Sequence, residues 1–126
     1  MRPSRALLLP VAALGGILAA VRWSPVGRYA VEGPSMEPAY HAGDRVLVNR
    51  LAYLRRPPAV GDVVVLHDPE RHGRYLLKRI AQAPGHEDPG PARLYVLGDN
   101  AAESRDSRHF GPVARRAIIG RAWLRY

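Results

Sequence analysis

The chain begins with one uninterrupted apolar stretch and then changes to short alternating runs broken by Gly, Pro and Asp. The apolar stretch, Ala6–Val21, carries no charged side chain, and Arg2, Arg5 and Arg22 flank it. As a helix this stretch would rise about 24 Å, whereas the ~20 residues that a membrane span prefers would rise about 30 Å. Snorkelling of Arg22 and an interfacial Trp23 reduce that deficit. We therefore predict an N-terminal transmembrane helix.

Two other interpretations of the apolar stretch stay open. A cleavable signal peptide has the same basic start and apolar length, although no A-x-A cleavage site precedes the rest of the chain. A buried core helix is the third interpretation, but uniformly apolar helices are rare in so small a domain. We predict that residues 1–24 form a basic N terminus plus membrane anchor, and that residues 25–126 form one domain.

β-Branched and aromatic residues recur in short runs after Tyr29, a pattern typical of strands. Gly-Asp pairs at 43–44, 61–62 and 98–99 supply turn geometry at the ends of runs. Only Asn49–Arg55 offers a short helical alternative, so we predict a mainly β domain of antiparallel strands. The predicted strands are Arg45–Asn49, Asp62–His67, Arg74–Ala81, Ala92–Leu97 and Ala117–Leu124.

Composition narrows the chemistry available to this domain. The 126 residues include no cysteine, which excludes disulfides, thiolate zinc sites and a cysteine nucleophile. The histidines lack metal-ligand spacing, and we expect no cofactor. The net charge of +8 predicts an anionic partner, either a phospholipid surface or nucleic acid. A nucleic-acid-binding β-domain would interleave aromatic residues with Arg, and only Tyr53, Tyr75 and Tyr95 approach that pattern. We therefore expect no nucleic acid.

Without cysteine, a covalent mechanism must use Ser, Thr or Lys. Ser35 lies in the segment GPSMEP, where flanking Gly and Pro hold a side chain on a rigid turn. By itself this segment is more simply explained as a turn. It is not a G-x-S-x-G nucleophile elbow, because Glu37 occupies the last position.

Lys78 is the only lysine of the chain. Strand alternation places it on one face with Leu76 and Ile80, where burial would lower its pKa; the neighbouring Arg79 charge acts in the same direction. A guanidinium cannot be deprotonated, so a basic side chain acting as a general base here must be this lysine. The alternative is a solvated lysine beside two aliphatic side chains, and the spacing alone leaves both open.

A third segment, Gly98–Val113, concentrates hydrogen-bonding side chains in one irregular stretch. It is either a polar surface loop or a loop folded on itself with internal Asp–Arg pairing. His109 close to Asp106 also raises a Ser-His-Asp triad as a weaker alternative.

Four segments in order resemble the successive motifs of type I signal peptidases. They are GPSMEP at 33–38, GDVVVL at 61–66, KRI at 78–80 with PG at 84–85, and GDNAAESRDSRHFGPV at 98–113. The resemblance implies a compact signal-peptidase-like β-fold and a Ser/Lys endopeptidase. It also implies a single-pass protein of the cell membrane, with a cytoplasmic N terminus and an extracytoplasmic catalytic domain.

The resemblance assigns roles residue by residue. Ser35 matches the nucleophile, Lys78 the general base, and Ser104 the serine that orients the lysine. Asp106 and Arg108 match the pair that supports the geometry of the site.

Further positions match the family or depart from it. Met36 matches a wall of the substrate pocket, and Asp99 and Asn100 match a structural turn. Gly33 stands where many members place a serine that completes the oxyanion hole. His86 follows Pro84-Gly85 in place of the usual Asp, and the short connection between 81 and 98 leaves no room for the second domain of longer bacterial enzymes.

The expected partners are an extended precursor polypeptide with small residues before the cleavage site, and anionic membrane lipids. A family alternative is a maturation protease dedicated to one precursor, such as that of a nickel superoxide dismutase or a secreted peptide.

Overall fold

Seven strands follow one another along residues 25–84 and 93–126, the parts of the chain that this computed structural model describes. Helical structure in these residues is limited to α1 (Ser107–Phe110) and two 3₁₀ turns at Ala101–Glu103 and Arg115–Ala117. The strands are β1 (Val26–Ala30), β2 (Arg45–Asn49), β3 (Val63–His67), β4 (Tyr75–Gln82), β5 (Arg93–Leu97), β6 (Val113–Ala114) and β7 (Ile118–Arg125).

The predicted transmembrane helix and the proposed anchor, residues 1–24, lie outside the described residues. Within residues 25–84 and 93–126, no helix has both the length and the apolar character needed to cross a membrane.

The strands form one sheet in the order β1-β2-β7-β3-β4-β5-β6, and every neighbouring pair is antiparallel. The predicted mainly β, antiparallel domain is therefore confirmed. The register shifts at Leu47/Val48, Val65/Leu66 and Ile80/Gln82. Such irregularities increase local twist, which curls the sheet.

All five predicted strands are present, each within one residue of its expected ends. Two strands were not predicted. β1 contains Gly27 and Arg28 and lacks apolar alternation, and β6 is only two residues long. The segment Asn49–Arg55 forms turns after the end of β2 and contains no helix.

Two apolar clusters pack on opposite faces of the sheet, and β3 contributes to both. Val64 and Leu66 belong to the first cluster, whereas Val63 and Val65 belong to the second. This double burial explains why β3 reads as a continuous apolar run. The second cluster also includes Met36, so the core fixes the segment that follows Ser35.

Candidate active site

A cleft of about 450 Å³ opens between the chain segment 29–36 and the first half of β4. Ser35 and Lys78 both line it, although 43 positions separate them in the sequence. Much of its wall is apolar and comes from both sides of the gap, including Val31, Met36, Val46, Val65, Leu76 and Leu77.

The turn that carries Ser35 is fixed by the loop after β5. The Asn100 backbone N–H donates to the Ser35 carbonyl at 2.9 Å, and the Asn100 side chain donates to the Pro34 carbonyl at 3.1 Å. The Asp99 N–H donates to the Met36 sulfur at 3.5 Å. Asp99 in turn accepts a bidentate pair of hydrogen bonds from Arg79, each 2.9 Å long, which ties the loop to β4.

Met36 is 1% exposed and lines the cleft, which places it where a pocket wall was expected. Gly33 has a φ of +74°, a conformation that glycine adopts without strain. Gly33 is exposed and does not line the cleft as the described residues define it.

Lys78 lies at the middle of β4, opposite Val64 of β3, and is 3% exposed. Leu76 and Ile80 pack with the first apolar cluster and Leu77 with the second, so the predicted alternation along this strand is confirmed. Burial lowers the pKa of the lysine below its ordinary value. Asp106 and Asp68 act in the opposite direction, and nearby arginines reinforce the lowering.

A second group of predicted residues surrounds the fully buried carboxylate of Asp106. Its Oδ2 atom accepts from the Gly98 N–H at 2.9 Å, the Ser104 hydroxyl at 2.8 Å and Arg108 Nη2 at 2.8 Å. Its Oδ1 atom accepts from Arg108 Nε at 2.9 Å. Burial by itself raises the pKa of this carboxyl. The hydrogen bonds, led by Arg108, outweigh that effect and hold the pKa well below its usual range.

Gly98 joins this cluster to the turn that carries Ser35. A Cβ atom on Gly98 would lie 2.1 Å from the Ser104 hydroxyl and 2.7 Å from the Ser35 carbonyl oxygen. The missing side chain therefore permits Ser104 and the Ser35 backbone to approach Gly98 from two sides. In the sequence, the Gly98-Asp99 pair indicates only a turn. A glycine closing a strand can also signal close backbone approach.

Apart from Gly33, the predicted site residues fall into two sets in the structure. Ser35, Met36 and Lys78 line the cleft. The other set forms the hydrogen-bonded cluster around Asp106, where the Ser104 hydroxyl is engaged as a donor to that carboxylate. This second set consists of Ser104, Asp106 and Arg108.

His109 belongs to the capping box of α1. Its Nδ1 atom accepts the Asp106 backbone N–H at 3.3 Å, and the residue does not line the cleft of the described structure. The weaker Ser-His-Asp alternative therefore gains no support from this geometry. The internal Asp–Arg pairing expected for the loop is present between Asp106 and Arg108.

The sequence did not indicate the ion pair between Asp68 and Arg105, which both line the cleft. Arg105 donates to the buried Asp68 carboxylate and to Glu70. The phrase Asp68-Pro69-Glu70 offers a turn signal, since aspartate commonly accepts backbone N–H groups just ahead in the chain. Nothing in the sequence pattern indicates its arginine partner, which is 37 positions away.

The chain was compared with known protein families and with individual proteins. A family model described as "Signal peptidase, peptidase S26" matches residues 4–87 and 90–126. The chain belongs to the S26 signal peptidase family. The resemblance noted in the sequence is thereby confirmed, and so is the prediction of a serine-type peptidase.

Individual relatives come from two groups. The mitochondrial ATP-independent inner membrane protease subunit 1a of Arabidopsis thaliana is 38% identical over 112 residues, covering 75% of this chain and 67% of the relative. The mitochondrial inner membrane protease subunit 1 of Schizosaccharomyces pombe is 35% identical over 109 residues, covering 72% and 69%. Signal peptidase I of Bacillus caldolyticus is 26% identical over 155 aligned positions, covering 87% and 84%. The chain spans about two thirds of the length of the mitochondrial relatives.

Proposed function

We propose that this S26 family member is a membrane-anchored serine endopeptidase that removes signal or leader peptides from exported precursors. In this proposal Ser35 is the nucleophile and Lys78 the general base. The observation that carries the proposal is the shared cleft. Ser35 lines it from the turn after β1, and Lys78, buried and with a lowered pKa, lines it from β4.

The proposed reaction is acyl transfer in two stages. Neutral Lys78 accepts the Ser35 hydroxyl proton while Oγ attacks the scissile carbonyl carbon. The resulting ammonium then protonates the leaving amine as the C–N bond breaks, which leaves an ester on Ser35. Lys78, neutral again, takes a proton from water as that water attacks the ester. Collapse releases the acyl product and returns the proton to Oγ.

The Ser35 backbone N–H is proposed to stabilise the oxyanion. A well-placed oxyanion donor contributes about 3 kcal/mol to the barrier. Gly33 offers no side-chain donor, so the proposed site relies on the backbone and on water at that position. The hydrogen bonds from Asn100 support this role, since they hold the carbonyls of Pro34 and Ser35 in place.

An exposed edge of β4 supports an extended substrate. In the described residues, β5 pairs with β4 only from Arg79 onward, whereas β3 pairs with β4 from Tyr75. The segment from Tyr75 to Lys78 therefore has one edge without a strand partner, beside the cleft. We propose that the precursor adds there as a strand, a common mode of peptide recognition. Its small side chains would face the apolar wall that includes Met36 and Leu77.

The membrane assignment rests on the predicted anchor, on the net charge of +8 and on one exposed loop. Leu54 is 74% exposed and adjoins Arg55 and Arg56, which are exposed as well. Apolar and basic side chains together suit the surface of an anionic bilayer. We propose a cytoplasmic N terminus, an extracytoplasmic catalytic domain and contact with anionic lipids.

The proposal is tested by incubating the purified full chain with a panel of exported precursor proteins and mapping the new N termini. Cuts after small residues in several precursors support a general signal peptidase. A cut in one precursor alone supports the dedicated maturation protease. Cleavage that persists in Ser35→Ala, or no cleavage of any precursor by a folded wild-type chain, contradicts the proposed function.

A further inference from the structure

A second buried carboxylate lies beside the cleft. Asp68 follows β3, and its side chain is 1% exposed. Its Oδ1 atom accepts the backbone N–H groups of Glu70 at 2.9 Å and Arg71 at 3.2 Å, which shapes the turn between β3 and β4. Its Oδ2 atom accepts a hydrogen bond from Arg105. Both Asp68 and Arg105 line the cleft together with Lys78.

Arg105 spans two parts of the molecule. Its backbone lies between Ser104 and Asp106, and its guanidinium reaches the β3–β4 hairpin. There one nitrogen binds Asp68 and the other binds Glu70 at 2.7 Å. The guanidinium also lies 5.7 Å from the centre of the Phe110 ring. The arginine thus connects the loop of the Asp106 cluster to the hairpin that carries Lys78.

The charges around Lys78 form two pairs of the same kind. Asp106 is paired with Arg108, and Asp68 is paired with Arg105. An unpaired carboxylate near the amine would favour its charged form. Other ionisable groups that line the cleft are Tyr29, Glu32, Arg71, Arg74 and Tyr75.

We propose that Arg105 is a positioning residue that holds the Asp106 loop on the β3–β4 hairpin and cancels the Asp68 charge, so that Lys78 stays neutral. This role deepens the proposed function, because it matters only if Lys78 is the base. Arg105 itself takes no part in proton transfer. The resemblance assigned it no role, and the structure reveals it through its two carboxylate partners.

The lone lysine permits a test that does not depend on activity. With ¹³C-labelled lysine, the full chain gives one lysine Cε signal, whose titration follows Lys78 directly. In Arg105→Gln the Asp68 charge is uncovered, so we expect the midpoint to rise by about 1 pH unit. The alkaline rise of kcat/KM should move with it. At pH values below the lysine midpoints of both proteins, kcat/KM of Arg105→Gln should be roughly tenfold lower than that of wild type, and high pH should restore it.

Two further variants separate charge from structure. Asp68→Asn keeps the acceptor for the two backbone N–H groups but removes the charge, so its midpoint should lie below that of wild type. Combined with Arg105→Gln, it should return the midpoint towards the wild-type value. Arg125→Gln is the matched control, because it breaks a remote Arg–Asp pair with Asp44 and should shift nothing.

An unshifted lysine midpoint in Arg105→Gln overturns the proposal, as does a loss of kcat/KM equal at every pH. If Arg105→Gln fails to fold, Asp68→Asn still tests the proposal. A lysine midpoint in Asp68→Asn that is not below that of wild type also overturns it. The expected shifts in a chain that cleaves no precursor would support this charge balance while the proposed peptidase function fails.

Discussion

Lys78 and Asp106 are both buried ionisable residues, yet their surroundings differ in kind. Asp106 is 0% exposed and accepts five hydrogen bonds, three of them from Arg108. Lys78 is 3% exposed, and no carboxylate of the described residues lies within salt-bridge distance of its amine. The two pKa values are both lowered, one by hydrogen bonding to the charged form and the other by burial.

The difference shows how one small fold lowers the pKa values of two buried groups by opposite means. At Asp106 the donors replace the water that burial removes, so the carboxylate stays ionised. At Lys78 the carboxylates that would stabilise an ammonium are already bound to arginines. The two buried groups should therefore differ in what their removal does: loss of the Asp106 carboxylate should lower stability, whereas loss of the Lys78 amine should not.

The largest expected effect is on activity at the cleft. Ser35→Ala and Lys78→Met should each lower kcat/KM by about 10⁴–10⁶-fold, the loss typical of removing a nucleophile or its base. Lys78→Arg should be equally inactive, since a guanidinium does not deprotonate. The measurement is cleavage of a precursor peptide by each purified variant, and substantial turnover in any of them contradicts the dyad.

Lys78→Met and Asp106→Asn should also differ in their effects on the free energy of unfolding. Lys78→Met should leave the free energy of unfolding unchanged or raise it, because an uncompensated buried amine is replaced by an apolar side chain of similar length. Asp106→Asn should lower it by about 1–3 kcal/mol, since the amide cannot accept every hydrogen bond that Gly98, Ser104 and Arg108 donate to the carboxylate. Urea unfolding measures both. Equal losses in the two variants would mean that the two sites do not differ as described.

Protonation of Asp106 should make the stability of the protein depend on pH in acid. The folded-state pKa of Asp106 lies below the ordinary value of 3.8. Its contribution is therefore complete above the unfolded-state pKa and is lost as pH falls towards the folded-state value. We expect wild-type stability to decline below about pH 5, with a shallower decline in Asp106→Asn. An unchanged acid limb in that variant would assign the decline to other carboxylates.

A smaller effect is expected at Gly33, in the turn that carries Ser35. Gly33 has φ of +74° and open space around its Cα, so a side chain fits but strains the backbone. Gly33→Ala and Gly33→Ser should each cost about 1–2 kcal/mol of stability. If a hydroxyl at this position supplies an oxyanion donor, Gly33→Ser should exceed Gly33→Ala in kcat. Equal kcat values would show that it supplies none.

The sequence predicts contacts between residues close together in the chain better than contacts between distant residues. Alternation within β4 predicted which side chains share a face with Lys78, because that pattern is local. β1 was missed since Gly27 and Arg28 interrupt its apolar pattern. The Arg105–Asp68 pair was missed for a different reason. Arg105 and Asp68 meet only when the loop of the Asp106 cluster folds onto the β3–β4 hairpin, and no rule of sequence spacing predicts that contact.

The resemblance identified the residues of the Asp106 cluster without their contacts. That Ser104 orients the lysine stays a prediction, and the structure adds that its hydroxyl donates to Asp106. Gly98 was interpreted as a turn residue, and the close approach of Ser104 and the Ser35 carbonyl became visible only in three dimensions. Residue identity was therefore accessible from motifs, while the direction of each hydrogen bond was not.

The proposed role of Lys78 as a general base depends on the lowering of its pKa by burial, and the lone lysine of the chain lets this lowering be measured directly. The ¹³C-labelled full chain should give one lysine Cε signal whose titration midpoint lies below the ordinary value of 10.5. The midpoint should persist in Ser35→Ala, because burial does not depend on the nucleophile, and should move to the ordinary value on unfolding in urea. A folded chain whose lysine titrates at or above 10.5 would contradict the proposed effect of burial on Lys78.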